Sequence, residues 1–394
     1  MKIAVISSGD PYNMKGIMNF VWEKVRRLSM IDDLEVDYYV VRTNPSIFNS
    51  ILLRCFKGYK SQPADKKQKF ELINGIRINY LWFTRTLYDQ FILKFIDRNP
   101  IPKRTLSVYA QHFKNYDILV THTPDVHTIA LYCKKHYNKP YITTWHGSDI
   151  NVLPHSDNKI VPILKDVIEN ACVNYFVSNH LLKQSTTITP KGNKQVYYTG
   201  PAEGFIKYDE LKREQLKYKH NCLNKKIVAF VGSIIAIKNV EILPDVFQQI
   251  RDKYNQNIEF WVIGNGNLES MILSEFTKRN LQFRIFKNVN PIDMPDLMNC
   301  IDVLVLPSKN EGLGLVLLEA IKCGAAAVGS NIGGIPEVVG KENAFDLDEN
   351  FEDKISDRIV FILNHPEYKQ SYESKFSWEN AIQMEVEAYK KYCI

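Results

Sequence analysis

Ten short apolar runs rich in Val, Ile, Phe and Tyr recur along the chain, separated by longer amphipathic stretches. They read KIAVISS, DYYVVR, DILVTH, PYITTWH, VNYFVS and QVYYTG, then KIVAFVG, EFWVIG, DVLVLPS and AAAVGS. Continuous runs of this kind, with helical segments between them, are the pattern of parallel strands buried on both faces. The fold class is therefore α/β, and the pattern occurs twice. At 394 residues the chain exceeds the size at which one core stops growing, about 250–300 residues, so two domains are expected. The polar, basic stretch LKREQLKYKHNCLNKK before Ile227 marks the entry into the second. The expected domains are residues 1–205 and 206–376. FSWENAIQMEVEAYKKY then reads as a helix with Ser377 as N-cap and a stripe of Trp378, Ile382, Val386 and Tyr389. That stripe must bury, and residues 377–394 are expected to pack back on the first domain.

Composition excludes several classes. No stretch approaches the ~18 apolar residues of a spanning helix. The start MKIAVISSGDPYN reaches Asp10 after a short apolar run and is read as a buried first strand, not a signal peptide. Seven scattered cysteines without a C-x-x-C pair suggest reduced thiols and a cytoplasmic setting, neither a disulfide framework nor a zinc site. The net charge of +6 is uneven: residues 1–200 hold 27 basic against 16 acidic side chains, the remainder 23 against 28. Residues 51–104 alone hold 12 basic and 4 acidic groups, interleaved with Phe56, Tyr59, Phe70, Trp82, Phe83, Phe91 and Phe95. Two readings stand: a solvated face over core aromatics, or a surface for an anionic membrane, a phosphorylated acceptor or nucleic acid. Nucleic acid is the weakest partner, because no helix-turn-helix, zinc-finger or ribonucleoprotein pattern accompanies the charge.

Ligands of open parallel sheets bind beyond the carboxyl ends of the strands, so the turns there carry most information. After the first strand, SSGDPYNMKG closes on Gly16 and opens into a helix; it is either a backbone anion site or an ordinary connection. After KIVAFVG come Ser233 and Lys238, where a lysine can clamp a diphosphate or simply face solvent. EFWVIGNGNLE offers Gly264 and Gly266, but Glu269 fills the slot where a dinucleotide fingerprint has its third glycine, which disfavours a nicotinamide dehydrogenase. The segment PSKNEGLGLVLLEAIKCGAAAVGSNIGGIPEVVG parses as a turn presenting Glu311 and a permissive backbone at Gly312 and Gly314. A helix stopped by Gly324 and a further strand follow. Glu311 and Glu319, separated by seven residues, fall on loop and helix and can line opposite sides of one pocket. A helix N-terminus behind a glycine turn attracts an anion, and carboxylates beside it suit hydroxyls; read alone, both glutamates are ordinary helix residues.

The long segment resembles the signature of the retaining glycosyltransferases of family 4 (glycosyl transferases group 1), two-domain GT-B enzymes. The similarity extends through WHGSDI, FVSNHL, VGSIIAIKNVE, VIGNGNLE and the terminal FSWENA. It implies two Rossmann-like domains with parallel sheets facing across a cleft, the first for the acceptor and the second for a UDP- or GDP-sugar donor. By that resemblance Glu319 binds the ribose hydroxyls and Glu311 the sugar hydroxyls. Lys238 and the backbone of Gly312, Leu313, Gly314 and Leu315 hold the diphosphate, with Gly16, Ser233, Gly264 and Gly266 also on the donor side. His146 matches the family's histidine beside the transferring sugar, although a His after a buried strand is also a common core residue. His146, Glu311 and Lys238 are the implied catalytic residues, and His122 and Lys15 the implied acceptor residues. Asp149 is read as a cap of the following helix.

The sequence departs from the family twice: Ser233 stands where an arginine is common, and Lys15-Gly16 where two glycines are. The implied reaction transfers a sugar with retention to a hydroxyl of a glycan or lipid-linked acceptor, in surface polysaccharide biosynthesis. It needs no metal and no cofactor, and the donor β-phosphate accepts the proton. Residues 51–104 would then meet an anionic membrane at its cytoplasmic face. The competing readings are a non-catalytic nucleotide-sugar-binding protein and an epimerase of the same architecture.

Overall fold

The computed structural model describes residues 1–8, 16–45, 69–73, 75–95, 99–254 and 256–393. Lys15, Phe56, Tyr59 and most of the loop between Ser8 and Gly16 lie outside the described residues, as does much of the basic stretch 51–104. Two compact units are present. Unit 1 comprises Met1–Val177, Leu181–Tyr197 and Glu379–Ile394; unit 2 comprises Ser178–His180 and Tyr198–Trp378. The division thus falls after Tyr197, not after residue 205. The basic stretch read as an entry segment is largely the helix Glu210–Lys219 of unit 2. Its N-cap Asp209 accepts the Lys212 N–H, which starts that helix.

Unit 1 is an eight-stranded sheet of β1 (Lys2–Ser8), β2 (Glu35–Pro45), β3 (Phe70–Ile73), β4 (Ile76–Arg85), β5 (Ile118–Thr121), β6 (Tyr141–Trp145), β7 (Val173–Phe176) and β8 (Lys194–Val196). The order is β3-β4-β2-β1-β5-β6-β7-β8, parallel except for the β3–β4 hairpin. The apolar runs became the central strands for the expected reason: Ile3, Ala4, Val5, Ile6, Ile118, Leu119 and Val120 are fully buried. β3 and β4 fall within the basic stretch 51–104. Ile78, Tyr80 and Phe83 of β4 are core residues, whereas Phe70, Leu72, Tyr88 and Phe91 are exposed.

Unit 2 has β9 (Lys226–Val231), β10 (Ile258–Ile263), β11 (Phe283–Phe286), β12 (Val303–Leu306), β13 (Ala326–Ser330) and β14 (Ala344–Phe345). All are parallel, in the order β11-β10-β9-β12-β13-β14. Chain order reverses between β9 and β12, and in unit 1 between β1 and β5. A crevice forms at such a reversal, because the loops above the two central strands run to opposite sides.

The C-terminal helix Trp378–Tyr392 groups with unit 1 from Glu379 onward. Its buried face runs through Ala381, Glu385, Ala388 and Tyr389, while Ile382 and Val386 are only half-buried. The stripe is rotated from the expected one because it includes a buried carboxylate, which an apolar pattern does not reveal. Within unit 1 this helix is held by Tyr175, whose hydroxyl donates to the Met384 carbonyl (3.0 Å), and by Arg27 on Glu379 (3.1 Å).

Gly264 and Gly266 close the top of unit 2. A Cβ on Gly264, at φ 151°, would stand 1.8 Å from the Gly232 carbonyl oxygen, and one on Gly266 would stand 2.0 Å from that of Ile234. Both contacts are with backbone and cannot relax by rotamer change. Gly264→Ala is expected to destabilise the protein by roughly 2–4 kcal/mol, read as a lowered Tm; an unchanged Tm would show that the two loops do not touch.

Candidate active site

In unit 2 the loops after β9 and β12 meet above the point of strand reversal. The Lys309 N–H donates to the Ile237 carbonyl (2.9 Å), which joins them through backbone. Lys238 ends a short 3-10 turn, and its ammonium forms an ion pair with Glu311. Both side chains are partly exposed, at 22% and 17%. Ser308 Oγ contacts the same carboxylate at 3.5 Å, and Ser330 Oγ donates to the Ser308 carbonyl at 2.6 Å. Gly333 and Gly334 press this loop from the far side. A Cβ on Gly333 (φ 61°) would stand 1.9 Å from the Glu311 carbonyl oxygen, and one on Gly334 would stand 2.5 Å from that of Gly312. The glycine turn before Pro336 therefore supports the Glu311 loop.

Gly314, at φ 87°, leads into the helix Leu315–Lys322, which has neither a side-chain cap nor an acid in its first turn. Its first N–H groups are thus directed out of the helix beside Lys238, where an anion is stabilised by the macrodipole and the ammonium together. Glu319, one turn further on, is half-buried, and no hydrogen-bond partner for its carboxyl is found among the described residues. Burial pushes this carboxyl up to about 8. Ser233 is half-buried in the loop after β9. Gly264 and Gly266 shape the adjacent loop through backbone packing.

In unit 1, His122 follows β5 and His146 follows β6. Their rings are joined by a hydrogen bond between His122 Nδ1 and His146 Nε2 (3.2 Å). Phe20 of the first helix, Ile17–Leu28, meets His146 edge to face, with centroids 4.7 Å apart. His122 is fully buried. This corrects its assignment to the acceptor surface: its ring faces His146, which retains exposed surface of its own. Asp149 accepts the N–H groups of His146 (2.9 Å) and Gly147 (2.8 Å), holding the turn that carries His146. Burial, reinforced by the nearby Lys24 ammonium, lowers His146 to about 3, so its ring is neutral at ordinary pH. Gly16 begins the first helix at φ 53° with open space where a side chain would be; Lys15 is outside the described residues.

Residues 212–376 match the family described as Glycosyl transferases group 1. The match covers most of unit 2. The chain is 29% identical over 99% of its length to all of O-antigen chain mannosyltransferase B of Escherichia coli. It is 28% identical over 57% of its length to N-acetyl-alpha-D-glucosaminyl L-malate synthase of Bacillus anthracis, and spans 59% of that relative. Among solved structures, Anabaena HepE in complex with UDP and glucose superposes with a TM-score of 0.73 over 99% of this chain and 100% of that one, at 15% identity. That likeness is one of fold: two parallel-sheet α/β domains of GT-B type.

The structure thus gathers Lys238, Glu311, Gly312–Leu315 and Glu319 in unit 2, and His122 and His146 in unit 1. Sequence reasoning missed Phe20, Lys24 and Glu385. The available signal was a charge at helical spacing within an otherwise apolar face, as Lys24 stands among Val21, Val25 and Leu28. Among the described residues no group of three or more His, Cys, Asp or Glu side chains could hold a metal ion, and no helix is long and apolar enough to cross a membrane.

The raised Glu319 carboxyl predicts a pH effect whose sign is fixed. The folded protein binds this proton more tightly than the unfolded chain, so its contribution is full below the ordinary value of 4.5 and is lost as pH rises through about 8. Thermal unfolding of Glu319→Gln against wild type, without ligand, should show similar Tm values near ~pH 5. At alkaline pH the variant should be more stable by several degrees. A gap that does not change with pH would contradict the burial of this carboxyl.

Proposed function

We propose that the glycosyltransferase moves a hexosyl unit from a UDP- or GDP-sugar to a hydroxyl of a glycan or lipid-linked acceptor, retaining the anomeric configuration. The observation that carries this reading is the Lys238–Glu311 ion pair beside the uncapped helix Leu315–Lys322. A cation, free backbone donors and an adjacent carboxylate answer the diphosphate and hydroxyls of a nucleotide-sugar. Lys238 and the N–H groups near Leu315 stabilise the departing diphosphate as the glycosidic bond breaks. Glu311 orients sugar hydroxyls, and Glu319 receives the ribose hydroxyls. His146 bonds a hydroxyl of the transferring sugar as a neutral imidazole, and the β-phosphate oxygen takes the acceptor proton on the same face of the ring. The reaction is proposed to need neither metal nor cofactor.

The E. coli relative, named as an O-antigen chain mannosyltransferase, supports a mannose-type sugar and a surface polysaccharide as the acceptor class. A cytoplasmic location is proposed, with the exposed Phe70, Leu72, Tyr88 and Phe91 and the basic residues 51–104 contacting the anionic inner face of a membrane.

The test is nucleotide release from a panel of UDP- and GDP-sugars, GDP-mannose and UDP-glucose first, with and without a glycan acceptor, and NMR of the product anomer. Acceptor-dependent release with a retained anomer is expected, and Lys238→Ala should lower the rate by roughly 10²–10³-fold. Inverted product would contradict the mechanism. A folded protein inert with every donor would favour a binding function, and nucleotide-sugar conversion without an acceptor an epimerase. A second prediction concerns donor binding near ~pH 7, where ribose hydroxyls require Glu319 as its carboxylate. A proton should be released on binding, so the calorimetric enthalpy should vary with the ionisation enthalpy of the buffer. Buffer-independent binding would remove Glu319 from the ribose site.

A further inference from the structure

Unit 1 contains a buried ion pair that the proposed chemistry does not use. Lys24, on the first helix, and Glu385, on the C-terminal helix, bond to each other with both side chains at 0% exposure. The other Glu385 oxygen accepts the Tyr389 hydroxyl, and Lys24 also donates to Thr144 Oγ1 (3.2 Å). Such a pair is poorly explained by stability. Removing two charges from water costs several kcal/mol per ion, and well-packed apolar residues of similar volume commonly serve as well or better.

The surroundings of the pair point to the histidines. Thr144 lies two residues before His146 on β6. Phe20, one helical turn before Lys24, packs on His146 at 4.7 Å and on His122 at 5.9 Å between centroids. The Lys24 ammonium lies 5.6 Å from the centre of that same phenyl ring and 4.5 Å from the Tyr197 ring. The ammonium and the two imidazoles thus share Phe20 as a common neighbour. Without its partner on the C-terminal helix, this ammonium would be an uncompensated buried charge.

We propose that Lys24 and Glu385 are positioning residues for His146: their ion pair fixes Phe20 and the end of β6 and sets a positive charge close to the two imidazoles, which share one hydrogen bond. The inference rests on the reading that His146 bonds the transferring sugar. In a neutral pair one ring donates and the other accepts, leaving His146 Nδ1 for a sugar hydroxyl. Among the described residues, the titratable groups around His146 are His122 after β5, His127 of the helix Pro124–Tyr137, Lys24, and Asp149 of its own loop. Asp149 bonds to backbone N–H groups, not to the ring. Glu385 faces Lys24. Burial first, and the Lys24 charge after it, hold both His122 and His146 below the ordinary histidine range.

The test uses the full chain as Lys24→Met with Glu385→Leu, an apolar pair of similar volume, and as Lys24→Gln with Glu385→Gln, which keeps a hydrogen bond between the helices if the first variant does not fold. The imidazole protons of His122 and His146 are titrated by NMR, and the acidic limb of nucleotide release is measured in parallel. The expected result in a folded double variant is that both histidines protonate at higher pH than in wild type and that the acidic limb moves upward with them. Folded variants whose histidines titrate as in wild type would overturn the proposal and leave the ion pair a purely structural tie. Histidines that shift while the acidic limb stays in place would support the ion pair's hold on them and overturn instead the role given to His146.

Discussion

The donor side of the molecule depends on the ion pair between Lys238 and Glu311. Each residue ends a strand-to-helix loop, and the two loops arise on either side of the reversal between β9 and β12. Neither partner is deeply buried, so the pair is weak as a stabilising contact and can be reopened by a ligand that offers better partners. A diphosphate for the ammonium and sugar hydroxyls for the carboxylate are such partners. In the proposed reading the ion pair is a stand-in for substrate, keeping both groups in place before a ligand arrives. The close backbone approaches at Gly264, Gly266, Gly333 and Gly334 make that placement rigid, because each joins main chain to main chain.

The two units use burial differently. In unit 2 burial acts on Glu319 and favours its neutral form, so the proposed donor binding would be linked to proton release. In unit 1 burial acts on His122 and His146 and also favours the neutral form, which for an imidazole preserves an acceptor nitrogen. Desolvation thus prepares one group to lose a proton on binding and the other to remain uncharged throughout. The fully buried Lys24–Glu385 pair belongs to the second arrangement, and it makes the C-terminal helix part of the histidine environment.

The central strands were legible because runs such as Lys226–Val231 and Val303–Leu306 are buried on both faces and carry little else. Strands β3, β4 and β11 were not. Phe283–Phe286 is half-buried throughout and contains Arg284, and Ile76–Arg85 alternates polar with apolar residues inside a basic region. Glu311, Lys238 and His146 could be singled out because the loops that carry them follow such strands. The roles of Gly264 and Gly266 could not, since a glycine that receives a ligand and one that receives a neighbouring carbonyl are the same in sequence. His122 misled for a related reason: a residue after a strand can turn toward solvent or inward, and here the His146 ring turned it inward. Lys24 and Glu385 are far apart in sequence, and only the return of the C-terminal helix brings them together.

The most direct test of the account is calorimetric titration of UDP and GDP into the wild-type protein and into Lys238→Met, a substitution that keeps the stem and removes the charge. The account predicts that one nucleoside diphosphate binds wild type and that its affinity falls by at least ~10-fold in the variant, since a charge-assisted contact contributes about 1.5–3 kcal/mol. Equal affinity in the two proteins would contradict it, because the ammonium would then have no part in holding the diphosphate.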